Sequence, residues 1–212
     1  RAHYNGLIPR NPFAQFRITP NVKEREYLME GEIRQLIEHE FSDATLAFTR
    51  DLFVFACFTA LSFADIRELT TDEIMDVNGE KWIISKRHKT GVPFQVKLLD
   101  IPLQIIGKYR PFQKDNSVFG EINYWNVCKK LKKVISECGI NKQISFHCSR
   151  HTFGTLALSK GMPIESVSRV LGHTNIKTTQ IYAKITTQKL GNDLTAFGNQ
   201  LNQTFGNIKV AG

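Results

Sequence analysis

The chain has no apolar run approaching the roughly 20 residues that a membrane-spanning helix needs. Its first residues, RAHYNGLIPRNPF, lack the basic, apolar and small-residue order of a secretory signal. Cysteine is scarce: Cys57, Cys128, Cys138 and Cys148 stand at wide, unpatterned spacings with no C-x-x-C pair. That excludes the common zinc ribbons and argues against a disulfide scaffold, so a reduced, cytoplasmic setting is expected. Internal repeats, low-complexity tracts and carboxylate clusters at metal-ligand spacing are missing as well. One globular unit with no metal or other cofactor is the expectation.

Positive charge is present in excess. Against 20 Asp+Glu stand 28 Lys+Arg, a net +8 with an isoelectric point near 9.4, which favours a polyanionic partner because each neutralised phosphate releases counterions. With 212 residues, 42% of them apolar, the chain can bury one sizeable core.

Residues 1–20 carry Gly6, Pro9, Pro12 and Pro20 with little periodicity and read as an extended lead-in. From about Glu30, Ile33, Leu36, Ile37 and Phe41 recur at helical spacing. Ser42 or Asp43 can cap a second helix, which Leu46, Phe48, Leu52, Phe53, Phe55, Ala56 and Phe58 make apolar nearly all round, as befits a core helix. Between Glu73 and Leu99, Asn78-Gly79 and Thr90-Gly91 separate three short antiparallel strands. Asp100-Ile-Pro then opens further helices over about 101–109, 123–138, 148–160, 163–171 and 175–184, followed by a polar helix over roughly 186–200 and a loose tail. The expected class is α+β: mostly helical, with one three-stranded antiparallel sheet.

His147 and Arg150 stand three apart at a helix start, so both side chains can aim at a point beyond its N-terminus. Orphan N–H groups and the helix dipole favour a phosphate there. His173 follows 23 residues after Arg150, and Tyr182 nine after that.

The run HCSRHTFGTLALSKGMPIESVSRVLGHTNIKTTQIYAKI resembles the C-terminal half of the phage-integrase, or tyrosine recombinase, family. It reproduces H-x-x-R-H, the Gly-bounded helix, L-G-H and T-x-x-Y with their spacings. FTALSFADIRELT and KRHKTG are similar to the family's earlier motifs, so the resemblance covers most of residues 20–185. It implies a catalytic domain over 21–185, preceded by a linker (1–20) from an absent core-binding domain and followed by a tail helix (186–212). It also implies that Tyr182 attacks a DNA phosphodiester while Arg150, His147 and His173 hold the phosphate and move protons. Lys89, with Lys86 as the alternative, would protonate the leaving oxygen. His151 is expected to pack within the fold, outside the site. The implied partners are double-stranded DNA and further protomers in a tetrameric synapse, with no membrane, for integration or excision of a mobile element. A type IB topoisomerase-like relaxing enzyme and a DNA-binding relative that has lost catalysis are the alternatives.

One departure stands out. Where the family has T-G-L-R, this chain has Thr59-Ala60-Leu61-Ser62, so an arginine is replaced by Ser62. Arg87, two residues from Lys89 and on the same face of a regular strand, is one candidate substitute. Arg67 is another, and no substitute at all is the third possibility. After Tyr182, Leu190, Leu194, Phe197 and Leu201 form a narrow apolar stripe suited to docking on a neighbouring protomer.

Overall fold

A computed structural model describes residues 4–6, 26–89, 91–112, 115–183 and 187–206. At its centre lies α2 (Ala44–Thr59), packed against α1 (Glu30–Glu38), α4 (Asp100–Tyr109), α5 (Tyr124–Glu137) and α6 (Cys148–Ser159). Asp43 starts α2 by accepting from the Thr45 N–H at 2.8 Å. From Leu52 to Cys57 every α2 residue is buried, as its all-round apolar sequence requires.

The short helix α3 (Phe63–Glu68) leads into a three-stranded antiparallel sheet, β1 (Ile74–Val77), β2 (Glu80–Lys86) and β3 (Pro93–Lys97), in that spatial order. Val77 pairs with Glu80. The intervening Asn78 and Gly79 both have positive φ (55° and 81°), the backbone a tight two-residue hairpin demands. On the inward face of β2, Ile83 pairs with Val96 and Ser85 with Phe94. The sheet thereby buries Ile83, Phe94 and Val96 against the helices.

Beyond α6 follow α7 (Ile164–Leu171), the single-turn α8 (Lys177–Gln180) and α9 (Thr187–Phe205). The expected classes and order hold, with corrections at the edges. α4 begins at Asp100 itself with Leu99 in the cap position. The helix expected over 175–184 shrinks to one turn, and the tail helix reaches Phe205 rather than 200. Gly191 and Gly198 sit inside α9 without breaking it. Apart from residues 4–6, the lead-in lies outside the described residues, as do Thr90 and residues 184–186.

The residue before His147 ties the helix carrying it to this core. Phe146 is buried and meets Phe53 and Phe63 edge-on, with ring centroids 5.9 and 5.2 Å apart. Such pairs add about 0.5–1.5 kcal/mol beyond area burial. Phe146→Ala is therefore expected to cost about 3–5 kcal/mol in urea unfolding, with Phe146→Leu clearly milder; equal losses would show that the ring geometry is immaterial.

Candidate active site

Helix α2 ends at Ala60, which adopts the left-handed conformation (φ 57°, ψ 17°). A non-glycine residue there costs about 1–2 kcal/mol. The Ala60 methyl recovers part of that by packing with Leu158, Val167 and Leu171. This turn exposes the Ala60 carbonyl to two arginines. One Arg150 Nη donates to it and the other to the Leu171 carbonyl. Arg87 donates to the same Ala60 oxygen at 3.4 Å, to the Asp65 carboxylate at 2.9 Å and to the Val170 carbonyl. Its guanidinium also lies 4.0 Å from the centroid of the Phe94 ring. The structure therefore sets Arg87 beside Arg150.

Arg87 continues the inward alternation of Ile83 and Ser85, but the face it was expected to share with Lys89 is lost. β2 ends at Lys86, and the turn is closed by the Gly91 N–H donating to the Arg87 carbonyl and the Arg87 N–H to that of Val92. This reverses the chain, so Arg87 is only 6% exposed while Lys89 stands exposed in the hairpin turn. The two do not share a strand face, because the strand has ended. Lys86, paired with Pro93, is exposed as well. Arg67 forms an exposed ion pair with Glu68 at 2.8 Å and touches none of the site residues among the described contacts.

Ser62 has a definite task. It caps α3, accepting from the Asp65 N–H at 3.3 Å while Asp65 accepts from the Ser62 N–H at 3.0 Å. The other Asp65 oxygen accepts from the His88 N–H at 3.0 Å. Asp65 thus anchors Arg87 from three residues beyond the replaced arginine. The S-x-x-D spacing was visible in the sequence; the pairing with a residue 22 positions away was not.

His147 is exposed at the N-cap of α6, and Arg150 is half-buried one turn on. His173 is half-buried just after the left-handed Gly172, its Nδ1 hydrogen-bonded with the Thr179 hydroxyl at 2.9 Å. A methyl at Gly172 would come within 3.0 Å of the Arg87 Nε, so both backbone and neighbour require glycine there. Tyr182, half-buried past α8, lies close enough to Arg150 to favour its charged form. His151, left outside the site by the sequence reading, is buried with its ring 5.3 Å from that of Tyr182 and 5.1 Å from that of His147.

Burial, reinforced by the like charge of Arg87, pushes the Arg150 guanidinium down to about 10, so it stays cationic at neutral pH. Burial and then the charges of Arg150, Arg87 and His147 push His173 down to about 4, leaving its imidazole neutral. Five of the six proposed site residues (Arg87, His147, Arg150, His173 and Tyr182) are brought together, while Lys89 stands apart at the hairpin.

The model of the phage integrase family matches residues 26–189. The chain belongs to the phage integrase family. It is 31% identical over 139 residues to the tyrosine recombinase XerA of Saccharolobus solfataricus, covering 65% of this chain and 47% of that protein. It is 28% identical over 191 residues to a tyrosine recombinase of Pseudothermotoga lettingae, covering 84% and 63%. The chain thus spans about half the length of the XerA relatives it matches. The integrase of the Tn1549 transposon in complex with circular intermediate DNA superposes with a TM-score of 0.74 at 16% identity, covering 92% of this chain and 74% of that one. XerH recombinase in its post-cleavage complex gives 0.69 at 20% identity, covering 86% and 56%. At these identities the structural likeness establishes the fold, that of tyrosine recombinase catalytic domains.

A pH consequence follows from His173. Below about pH 6.5 the unfolded chain takes up a proton at this residue that the folded chain refuses until about pH 4. The unfolded state gains from that proton, so stability present above pH 6.5 is lost as the pH falls towards 4. His173→Gln is expected to flatten the decline of the urea midpoint across this window; a decline parallel to that of the parent protein would show that His173 titrates normally.

Proposed function

We propose that this chain catalyses site-specific DNA strand exchange through a covalent phosphotyrosine. The observation carrying this reading is the gathering of Tyr182, Arg150, His147 and His173 around the first turns of α6, where a helix N-terminus and a half-buried cation favour a phosphate. The Tyr182 oxygen attacks the scissile phosphorus, the bond to the 5′ oxygen breaks, and the 3′ phosphate remains on the tyrosine. His147, exposed at the helix start, takes the phenol proton, and neutral His173 donates a hydrogen bond to a non-bridging oxygen. Lys89 protonates the departing 5′ oxygen; the tip of a hairpin is a place from which a long side chain can reach DNA laid across the site. Attack on the phosphotyrosine by a 5′ hydroxyl of a second strand reverses these steps. The phosphotyrosine conserves the bond energy, so the exchange requires no cofactor.

Double-stranded DNA as the partner is supported by the net +8 charge and by the DNA-bound recombinases that share the fold. Integration or excision of a mobile element is supported by the likeness to the Tn1549 transposon integrase. A multi-protomer synapse is supported by α9, whose Leu190, Leu194, Phe197 and Leu201 are all exposed rather than folded onto their own domain. No described helix is long and apolar enough to cross a membrane.

Incubation with a nicked suicide duplex tests the central step. The parent protein is expected to yield a protease-sensitive protein–DNA adduct in excess EDTA, since arginine and histidine supply the charge that metals provide elsewhere. Tyr182→Phe should abolish the adduct and leave DNA binding nearly intact. An adduct from the Phe variant, or a strict need for Mg²⁺, would overturn the assignment.

Arg87 is proposed as the substitute for the arginine replaced by Ser62, supported by its position beside Arg150 on the Ala60 carbonyl. Arg87→Ala also strands the buried Asp65 carboxylate, a loss of about 3–5 kcal/mol in stability. Arg87→Lys keeps the charge and isolates the role of the planar fork. Removing that fork from a preorganised clamp costs about 2–4 kcal/mol in the transition state, on the order of 10²–10³ in single-turnover cleavage at saturating DNA. A normal rate for Arg87→Lys would reduce Arg87 to a structural pin. Ser62→Arg should make the Arg87 substitution less costly, and strict additivity of the two would show that they share no phosphate.

A further inference from the structure

The Tyr182 ring lies flat against α6. A methyl group added at Gly154 would stand 2.8 Å from the ring's Cδ2 and 3.0 Å from Cε2 and Cγ, closer than real Cβ atoms come to a neighbour. Only a glycine leaves the helix backbone bare enough for this contact. Gly154 lies in the interior of α6, where glycine costs about 1 kcal/mol of helix stability relative to alanine, and the three atoms nearest the missing methyl all belong to the Tyr182 ring. One turn earlier His151, 8% exposed, presents its ring to Tyr182 at 5.3 Å and 64°. Beyond it His147 meets His151 at 5.1 Å and 76°. His147, His151 and Gly154 are spaced by four and three residues, so they form one stripe along α6. Arg150 extends from the same helix beside that stripe, towards the Ala60 and Leu171 carbonyls.

We propose that His151 and Gly154 are positioning residues that seat the Tyr182 ring on α6 and so fix the phenol relative to the Arg150 clamp. This rests on reading Tyr182 as the nucleophile and adds how that nucleophile is placed. Tyr182 comes two residues after the four-residue α8, an element too short to hold a side chain rigidly by itself. The seat supplies the rigidity. It also puts nucleophile and phosphate clamp on one helix, so that a shift of α6 moves both together.

The test uses the full chain and a suicide duplex at saturating concentration, with and without a sulfur atom replacing the bridging 5′ oxygen. Sulfur leaves without needing a proton, so it rescues a defect in the general acid but not a misplaced nucleophile. A misplacement of about 1 Å can cost on the order of 10²-fold. Gly154→Ala is therefore expected to slow adduct formation by roughly 10- to 100-fold on both duplexes with unchanged DNA affinity. His151→Phe, which keeps a ring beside Tyr182, should stay within about 3-fold of the parent, whereas His151→Ala should lose more. A parental rate for Gly154→Ala, or its rescue by the sulfur duplex, overturns the seat.

Should Gly154→Ala fold poorly, a thermal double-mutant cycle without DNA decides the matter. Replacing Tyr182 by Ala should relieve the loss caused by Gly154→Ala, and equal losses in both backgrounds would overturn the proposal. The cycle reports on the ring contact alone, whereas the Tyr182→Phe adduct assay reports on the nucleophile, so the two readings fail separately.

Discussion

Two guanidinium groups converge on a single backbone oxygen, that of Ala60, and the rest of the site is arranged around that fact. Two cations side by side, one buried and one half-buried, repel, and each has given up water. What holds them is a set of acceptors that were already short of partners. The Ala60 carbonyl terminates α2, and the Val170 and Leu171 carbonyls terminate α7. The last carbonyls of a helix lack intrahelical donors and carry the negative end of its dipole. Two helix C-termini and the Asp65 carboxylate thereby assemble a cationic cluster beside the N-terminus of α6, which itself favours an anion. Charge held in this way is preorganised for an anion, so binding one requires little reorganisation.

The replacement of an arginine by Ser62 reads differently once this cluster is known. Ser62 caps α3 and steers Asp65, and Asp65 holds Arg87. Where the family motif has an arginine, this position carries a side chain that fixes the carboxylate holding Arg87. The left-handed Ala60 and the glycine at 172 belong to the same rearrangement: one turns its carbonyl towards the arginines, and the other leaves room for the Arg87 Nε. Low basicity at His173 is a further product, since burial and then the clustered cations disfavour a proton on the neighbouring imidazole.

Charge and packing divide the work on α6. Towards its start the helix offers His147 and Arg150, both polar and within reach of an anion. One turn further in it offers a histidine ring and bare backbone, against which the tyrosine lies. The buried aromatic residues Phe146, Phe53 and Phe63 lock the start of this helix to the central α2. Precision at the site is therefore inherited from the core, and a loss of core packing should be felt there first.

Local rules in the sequence determined a good deal by themselves. The Asn78-Gly79 turn follows from two residues that tolerate positive φ, the burial of α2 from its lack of a polar face, and its start from Asp43. The H-x-x-R, L-G-H and T-x-x-Y spacings carried the resemblance to the family, because each lies on a short stretch whose pattern is local. What only the tertiary structure decided involves partners far apart in the chain. Arg87 and Lys89 were expected on one face, yet the hairpin turn separates them and only Arg87 enters the cluster. His151 was expected to pack away from the site, yet the chain beyond α7 returns across α6 and brings Tyr182 against it. The joint acceptor of the two arginines is a carbonyl, which every residue has, so no residue type could have announced it. A sequence shows where the donors and rings are; which backbone ends they meet depends on how the helices pack.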